Sequence, residues 1–208
     1  MPIEALETPA LLLDEARMAR NIARMQAQLQ RLGVAFRPHV KTNKSMDVTR
    51  RLMSSPIGPI TISTLKEAEY FAAHGVRDML YAVSIAPNKF AHALKLQRSG
   101  VRLTLILDSM ETAELLAAFA KAHDASFEIM LEIDSDGHRS GLVPDAPELV
   151  PIATYLHNAG LVVRGVMTHA GSSYDCPTLN DVRALAERER AAVVNSAQRL
   201  RAAGLACP

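Results

Sequence analysis

Regular alternation constrains this chain more than any other feature. From residue 34 onward, β-type runs and helical runs follow one another with a period of roughly 25–35 residues. The β-type runs lie at 34–41, 59–63, 78–83, 102–107, 126–133 and 161–168. The helical runs lie at 44–54, 65–74, 88–99, 110–122, 146–159 and 178–203. Gly75, Gly100 and Gly204 stand where helices stop, and Ser54-Ser55-Pro56 breaks another. Leu205-Ala206-Cys207-Pro208 reads as a seventh strand beginning. Strands alternating with helices imply an α/β fold, a parallel sheet covered by helices. Six such units and the start of a seventh fit a (β/α)8 barrel that is incomplete here. The rival is a doubly wound open sheet. No G-x-G-x-x-G follows the first strand, so a dinucleotide-binding reading has little support.

Upstream, residues 8–13 form a short apolar run read as a strand. Residues 14–32 read as a helix, with Met18, Ile22, Met25 and Leu29 at spacings of three and four, and Gly33 ends it. The chain therefore divides into an N-terminal strand, 1–13, and a partial barrel, 14–208.

Composition matters mainly for what it excludes. The net charge of +1 points neither to nucleic acid nor to an anionic membrane surface. Trp is absent and aromatics make up 4%, which argues against base-stacking platforms. Cys176 and Cys207 are far apart with no C-x-x-C spacing, so neither a zinc knuckle nor a redox motif is indicated. No basic start followed by a long apolar run is seen, and the cytoplasm is the default expectation.

Barrel enzymes place their chemistry at the C-terminal ends of strands. The first barrel strand ends in Arg37-Pro38-His39-Val40-Lys41-Thr42. In a strand over 34–41, Arg37, His39 and Lys41 share a face. Such a row needs partners, and an anionic, carbonyl-bearing ligand is the simplest. A crowded lysine is biased toward its neutral amine, the form that makes a Schiff base. A solvated strand-end lysine is the plainer reading of the same spacing. Lys44 competes but falls on the predicted helix. Ser63 and Thr64 end the second strand, where Thr64 and Glu67 have the spacing of a capping box. The loop Asp134-Ser135-Asp136-Gly137-His138-Arg139-Ser140-Gly141 follows the fifth strand, but lacks the twelve-residue calcium pattern and its final Glu. Thr168-His169-Ala170-Gly171-Ser172-Ser173-Tyr174 follows the sixth. There the small residues would let the backbone approach an anion.

These motifs, with Thr8-Pro9-Ala10 and Ser63-Thr64-Leu65-Lys66-Glu67-Ala68-Glu69, stand in the order found in the D-serine dehydratase, D-threo-3-hydroxyaspartate dehydratase and D-threonine aldolase family, and the chain resembles that family through most of its length. The resemblance implies pyridoxal 5'-phosphate enzymes of fold type III with an alanine-racemase-like barrel. It implies that Lys41 is the Schiff-base lysine and a general base at Cα. It places His39 near the cofactor, Arg139 beside its ring and His169 approaching it. Tyr174 corresponds to an active-site tyrosine of the dehydratase branch. It further implies two more barrel strands and a C-terminal β-domain that pairs with the N-terminal strand. The principal phosphate loop would follow the seventh strand.

The function implied is a lyase that removes water and then ammonia from a D-3-hydroxy amino acid, such as D-serine or D-threo-3-hydroxyaspartate, leaving a 2-keto acid. A divalent metal (Zn, Mg or Mn) on a His-x-Cys or His-x-Asp pair of the C-terminal domain would assist. None of the seven histidines here begins such a pair, so no metal ligand is assigned. A homodimer is implied for the longer protein. D-threonine aldolase, an amino-acid racemase and a non-catalytic cofactor-binding protein are the alternatives.

Overall fold

The structure, a computed structural model, describes residues 2–207. Helix α1 (Glu15–Leu32) starts where the Asp14 carboxylate accepts the Arg17 N–H at 2.8 Å. It stops at Gly33, whose φ of 66° is left-handed. No residue of α1 is buried. Residues 8–13 do not form the expected strand, and Leu11, Leu12 and Leu13 are exposed.

The strand expected over 34–41 is reduced to a single bridge, His39 to Thr61. A short 3-10 turn, Val40–Thr42, follows it. Pro38 has no N–H for a ladder, and the Lys41 N–H is taken by His39 Nδ1 at 3.3 Å. The cationic row is broken as well. Arg37 turns away from Lys41 and donates to Asp78 at 2.8 Å and to the Ile60 carbonyl at 3.2 Å. Both partners lie at the N-terminal ends of strands. Lys44 is not helical: α2 spans Met46–Leu52, and Lys44 precedes it with φ 45°.

Five units follow in strict alternation: β1 (Ile60–Ile62), α3 (Leu65–Ala73), β2 (Asp78–Ser84), α4 (Phe90–Arg98), β3 (Arg102–Leu107), α5 (Met110–Ala122), β4 (Glu128–Ile133), α6 (Leu149–Asn158), β5 (Val162–Thr168) and α7 (Leu179–Ala202). All strand pairs are parallel, and the sheet order is β1-β2-β3-β4-β5. A doubly wound sheet reverses its order and carries helices on both faces. Sequential order with right-handed crossovers keeps every helix on one face, as in a barrel wall. Leu205, Ala206 and Cys207 are in no strand, so the expected seventh strand has not begun there, and Pro208 lies outside the described residues.

Side-chain alternation sorts the sheet into two faces. Ile60, Ile62, Met79, Tyr81, Leu103, Leu105, Leu107, Ile129, Leu131 and Ile133 pack with the helices in one apolar core. The intervening positions face the lumen and include Thr61, Thr104, Ile106 and Glu132. Polar groups on that face find one another: the Ser84 hydroxyl donates to Glu132 at 3.0 Å, and Thr104 donates to Glu128 at 3.2 Å.

Candidate active site

The carboxyl ends of β1, β4 and β5, together with the turn after the His39 bridge, bring most of the candidate residues to one rim. Lys41 sits on the 3-10 turn with its side chain exposed. Among the described residues its Nζ makes no hydrogen bond or ion pair. Lys44, three residues on, is committed to Glu67 at 3.5 Å.

His39 lies half-buried behind Lys41. Its Nδ1 accepts the Lys41 N–H, so the neutral ring carries its proton on Nε2. That nitrogen meets the Ser63 hydroxyl at 3.2 Å. Burial pushes the pKa of His39 below its ordinary value, and the charge of Lys41 pushes the same way. Glu67 opposes, while His169 again lowers it.

Ser63 is held by a feature legible in the sequence. Thr64 and Glu67 form the full capping box of α3. The Glu67 carboxylate also accepts the Ser63 N–H at 2.8 Å. Glu67 is buried and serves the cap, the Ser63 backbone and Lys44 together.

Arg139 rides on the loop after β4. Asp134 is buried, and its carboxylate accepts the N–H groups of His138 at 3.2 Å and Arg139 at 3.3 Å. The loop returns to its strand: Leu142 N–H donates to the Glu132 carbonyl at 2.9 Å, and Asp134 N–H to the Leu142 carbonyl at 2.8 Å. Gly141, at φ 121°, is required there, since a Cβ would lie 2.6 Å from the Asp134 nitrogen. The Arg139 guanidinium is exposed and has no hydrogen-bonding partner among the described residues.

His169 follows β5, and its neighbours anchor the loop that carries it. Thr168 Oγ1 donates to the Ile133 carbonyl at 2.7 Å, and Glu189 accepts the Ala170 N–H at 3.2 Å. Gly171 packs against Arg139 so closely that a Cβ would lie 2.7 Å from Arg139 Cδ. Tyr174 is 83% exposed on a 3-10 turn, and the geometry does not bring it to the others. In the Gly171-Ser172-Ser173 run, both the N–H and the hydroxyl of Ser172 are spent on Asp136.

Two features were not assigned from sequence, the Asp136–Ser172 contact and the lumenal Glu132–Ser84 pair. Asp-x-Asp-Gly does signal side-chain-to-backbone bonding, but the Ser172 partner is 36 residues away. Among the described residues, no helix is long and apolar enough to cross a membrane.

The parallel strands thus form an open α/β wall with an uncommitted lysine, Lys41, at its rim, His39 behind it and Arg139 on the loop after β4. The chain matches the alanine racemase N-terminal domain over residues 13–208 and belongs to that family. It is 52% identical to the D-threo-3-hydroxyaspartate dehydratase of Delftia sp. (strain HT23), covering 98% of this chain and 54% of that protein. The solved structure of that dehydratase superposes with a TM-score of 0.95 at 51% identity, covering 98% of this chain and 54% of that one. A cysteine-to-alanine variant of it is known in a metal-free form. D-serine dehydratase of Dictyostelium discoideum is 30% identical, covering 97% of this chain and 54% of that protein. 3-Hydroxy-D-aspartate aldolase of Paracoccus denitrificans (strain Pd 1222) is 30% identical, covering 97% and 52%. The chain thus spans about half the length of the curated relatives it matches.

Proposed function

We propose that this chain supplies the cofactor-binding barrel of a pyridoxal-phosphate lyase that removes water, then ammonia, from a D-3-hydroxy amino acid. The free amine of Lys41 at the strand ends carries the reading. Likeness to a D-threo-3-hydroxyaspartate dehydratase across nearly the whole chain supports the substrate class.

The donor set fits the cofactor. Lys41 offers an amine with no competing acid, as holding an aldehyde requires. Arg139 adds a fixed positive charge for an anionic ligand, and His169 a ring nitrogen able to form a hydrogen bond. Bound there, pyridoxal phosphate supplies a conjugated ring that delocalises the electron pair left on Cα. The work of the chain is to hold and to move protons. Lys41 would hold the cofactor through its amine, and as a free amine it would serve as the base for the Cα proton. His39 keeps its neutral tautomer against Ser63 and limits the positive charge behind Lys41. Arg139 cannot lose its proton and so provides a fixed charge at the ring or the substrate. Tyr174 reaches the ligand only if its turn folds inward, and we assign it cofactor contact in that state.

A divalent metal does not fit the residues present. The described residues contain no group of three or more His, Cys, Asp or Glu able to hold one. The ligands of any such metal are assigned to sequence outside this chain. On the same reading residues 1–13 pair with that sequence as a separate element from 14–208, the longer protein is a homodimer, and it works in the cytoplasm.

The test uses the full-length natural protein. Pyridoxal 5'-phosphate added to the apoprotein should produce a yellow absorbance that is absent in Lys41→Ala. Persistence of the colour in that variant would remove Lys41 from the central role. D-threo-3-hydroxyaspartate should then yield keto acid and ammonia. The aldolase relative favours a second reading, cleavage of Cα–Cβ. Glycine and an aldehyde, without keto acid, would select it.

A further inference from the structure

We propose that Asp136 and Ser172 are positioning residues that fasten the Arg139 loop to the His169 loop, so that Arg139 and His169 meet an anionic ligand as one unit. The inference rests on the cofactor reading above and deepens it.

One carboxylate spans the two loops. Asp136 Oδ2 accepts the Ser172 N–H at 3.1 Å and its hydroxyl at 2.6 Å. Oδ1 accepts the His138 N–H at 3.3 Å, one residue before Arg139. Beneath this latch the loops touch through Gly171. A Cβ there would lie 2.7 Å from Arg139 Cδ and 3.3 Å from His138 Cδ2. A second tie exists at the base, where Thr168 Oγ1 reaches Ser135 Oγ at 3.0 Å. Thr168 directly precedes His169, so the base tie fixes the end of β5. The latch fixes the distal part of the loop, where Arg139 is carried.

The charges support this role. A carboxylate beside a ligand-facing arginine normally captures it. Here Asp136 makes no ion pair with Arg139, and three hydrogen bonds from Ser172 and the His138 backbone hold its carboxylate instead. The Ser172 hydroxyl, with the Ser172 and His138 N–H groups, holds the Asp136 carboxyl down at about 2, so it remains ionised. The negative charge is absorbed within the latch, and the guanidinium stays available.

The experiment uses the full-length protein with Asp136→Ala, Ser172→Ala, Ser172→Thr, Arg139→Ala and the double variant Asp136→Ala/Arg139→Ala. Amide exchange read by mass spectrometry should rise in both 136–140 and 170–174 when either Asp136 or Ser172 is replaced by Ala. Ser172→Thr keeps the hydroxyl and should restore protection. Titration with pyridoxal 5'-phosphate should show about tenfold weaker binding in each alanine variant, the size of one lost charge-assisted hydrogen bond. Asp136→Ala should cost clearly less in the Arg139→Ala background than by itself, because most of the latch's effect on the ligand passes through Arg139. Additive losses in the double variant would overturn the proposal. So would faster exchange confined to 136–140. If the wild-type protein takes up no pyridoxal phosphate, the cofactor reading falls, and the two-loop exchange result still decides whether the latch exists.

Discussion

His39 shows how one side chain can be both structural and chemical. Its neutral ring accepts the Lys41 N–H and meets Ser63, and protonation would remove the acceptor at Nδ1. Burial and the Lys41 charge lower its folded pKa below the ordinary 6.5. The unfolded chain therefore binds the proton more readily. The stability carried by His39 is whole above pH 6.5 and is lost as pH falls from there through the folded value. His39→Asn keeps an acceptor for Lys41 but cannot take the proton. Chemical denaturation midpoints of this variant should fall less steeply than those of wild type below pH 6.5. Parallel slopes would show that His39 is not the titrating group. Ser196 poses the opposite case on α7. It is fully buried, and its hydroxyl has no hydrogen-bond partner among the described residues. Ser196→Ala removes an unsatisfied hydroxyl and adds helix propensity, so it should stabilise by about 1 kcal/mol. Destabilisation of that size would mean the hydroxyl has a partner in solution, such as a bound water.

At the scale of elements, what the sequence revealed depended on whether local forces decided the outcome. The bounds read for 102–107 and 110–122 coincide with β3 and α5. A continuous apolar run makes a buried strand, and Ser109 accepts the Thr112 N–H to cap the helix that follows. The Thr64–Glu67 box was legible for the same reason. The strand expected at 34–41 was not, since apolar pattern outweighed Pro38 in the reading and the ring of His39 competed for the Lys41 N–H. Lys41 was found through its motif, whereas the geometry around Arg139 depends on contacts between residues 33 to 36 positions apart. Local pattern carries no trace of such partners. Thr64→Ala should destabilise by about 1 kcal/mol as the cap is lost, read from denaturation midpoints. Gly141→Ala should do more, because the added Cβ meets backbone rather than a movable side chain, at a φ of 121°. A loss of more than about 2 kcal/mol is expected there. A neutral result would show that the loop after β4 can leave its strand freely.

For the whole molecule, sequential strand order has a consequence that no single element shows. A wall of five strands covered on one face leaves lumenal side chains and two outer strand edges without the closure a full barrel gives. The N-terminal region adds to this. Helix α1 buries none of its residues, and the exposed Leu12 and Leu13 line a groove of about 590 Å³ together with Met18, Ile22, Met25 and Phe36. Apolar surface of that kind drives association when it is contiguous. The 208-residue chain expressed by itself should therefore self-associate with rising concentration in sedimentation velocity. The two surfaces can be told apart. Leu12→Ser with Leu13→Ser lowers the apolar area of the groove and leaves the sheet untouched. Val162→Lys puts a charge on β5, at the sheet edge, where Val162 is 44% exposed. If the serine pair returns the chain to monomer, the N-terminal groove is the adhesive surface and the sheet edge is already blunted by its surroundings. If only the lysine does so, backbone pairing at β5 dominates. A chain that stays monomeric without any substitution would show that the open wall closes on itself in solution, and the lumen described here would then be narrower than the strand geometry implies.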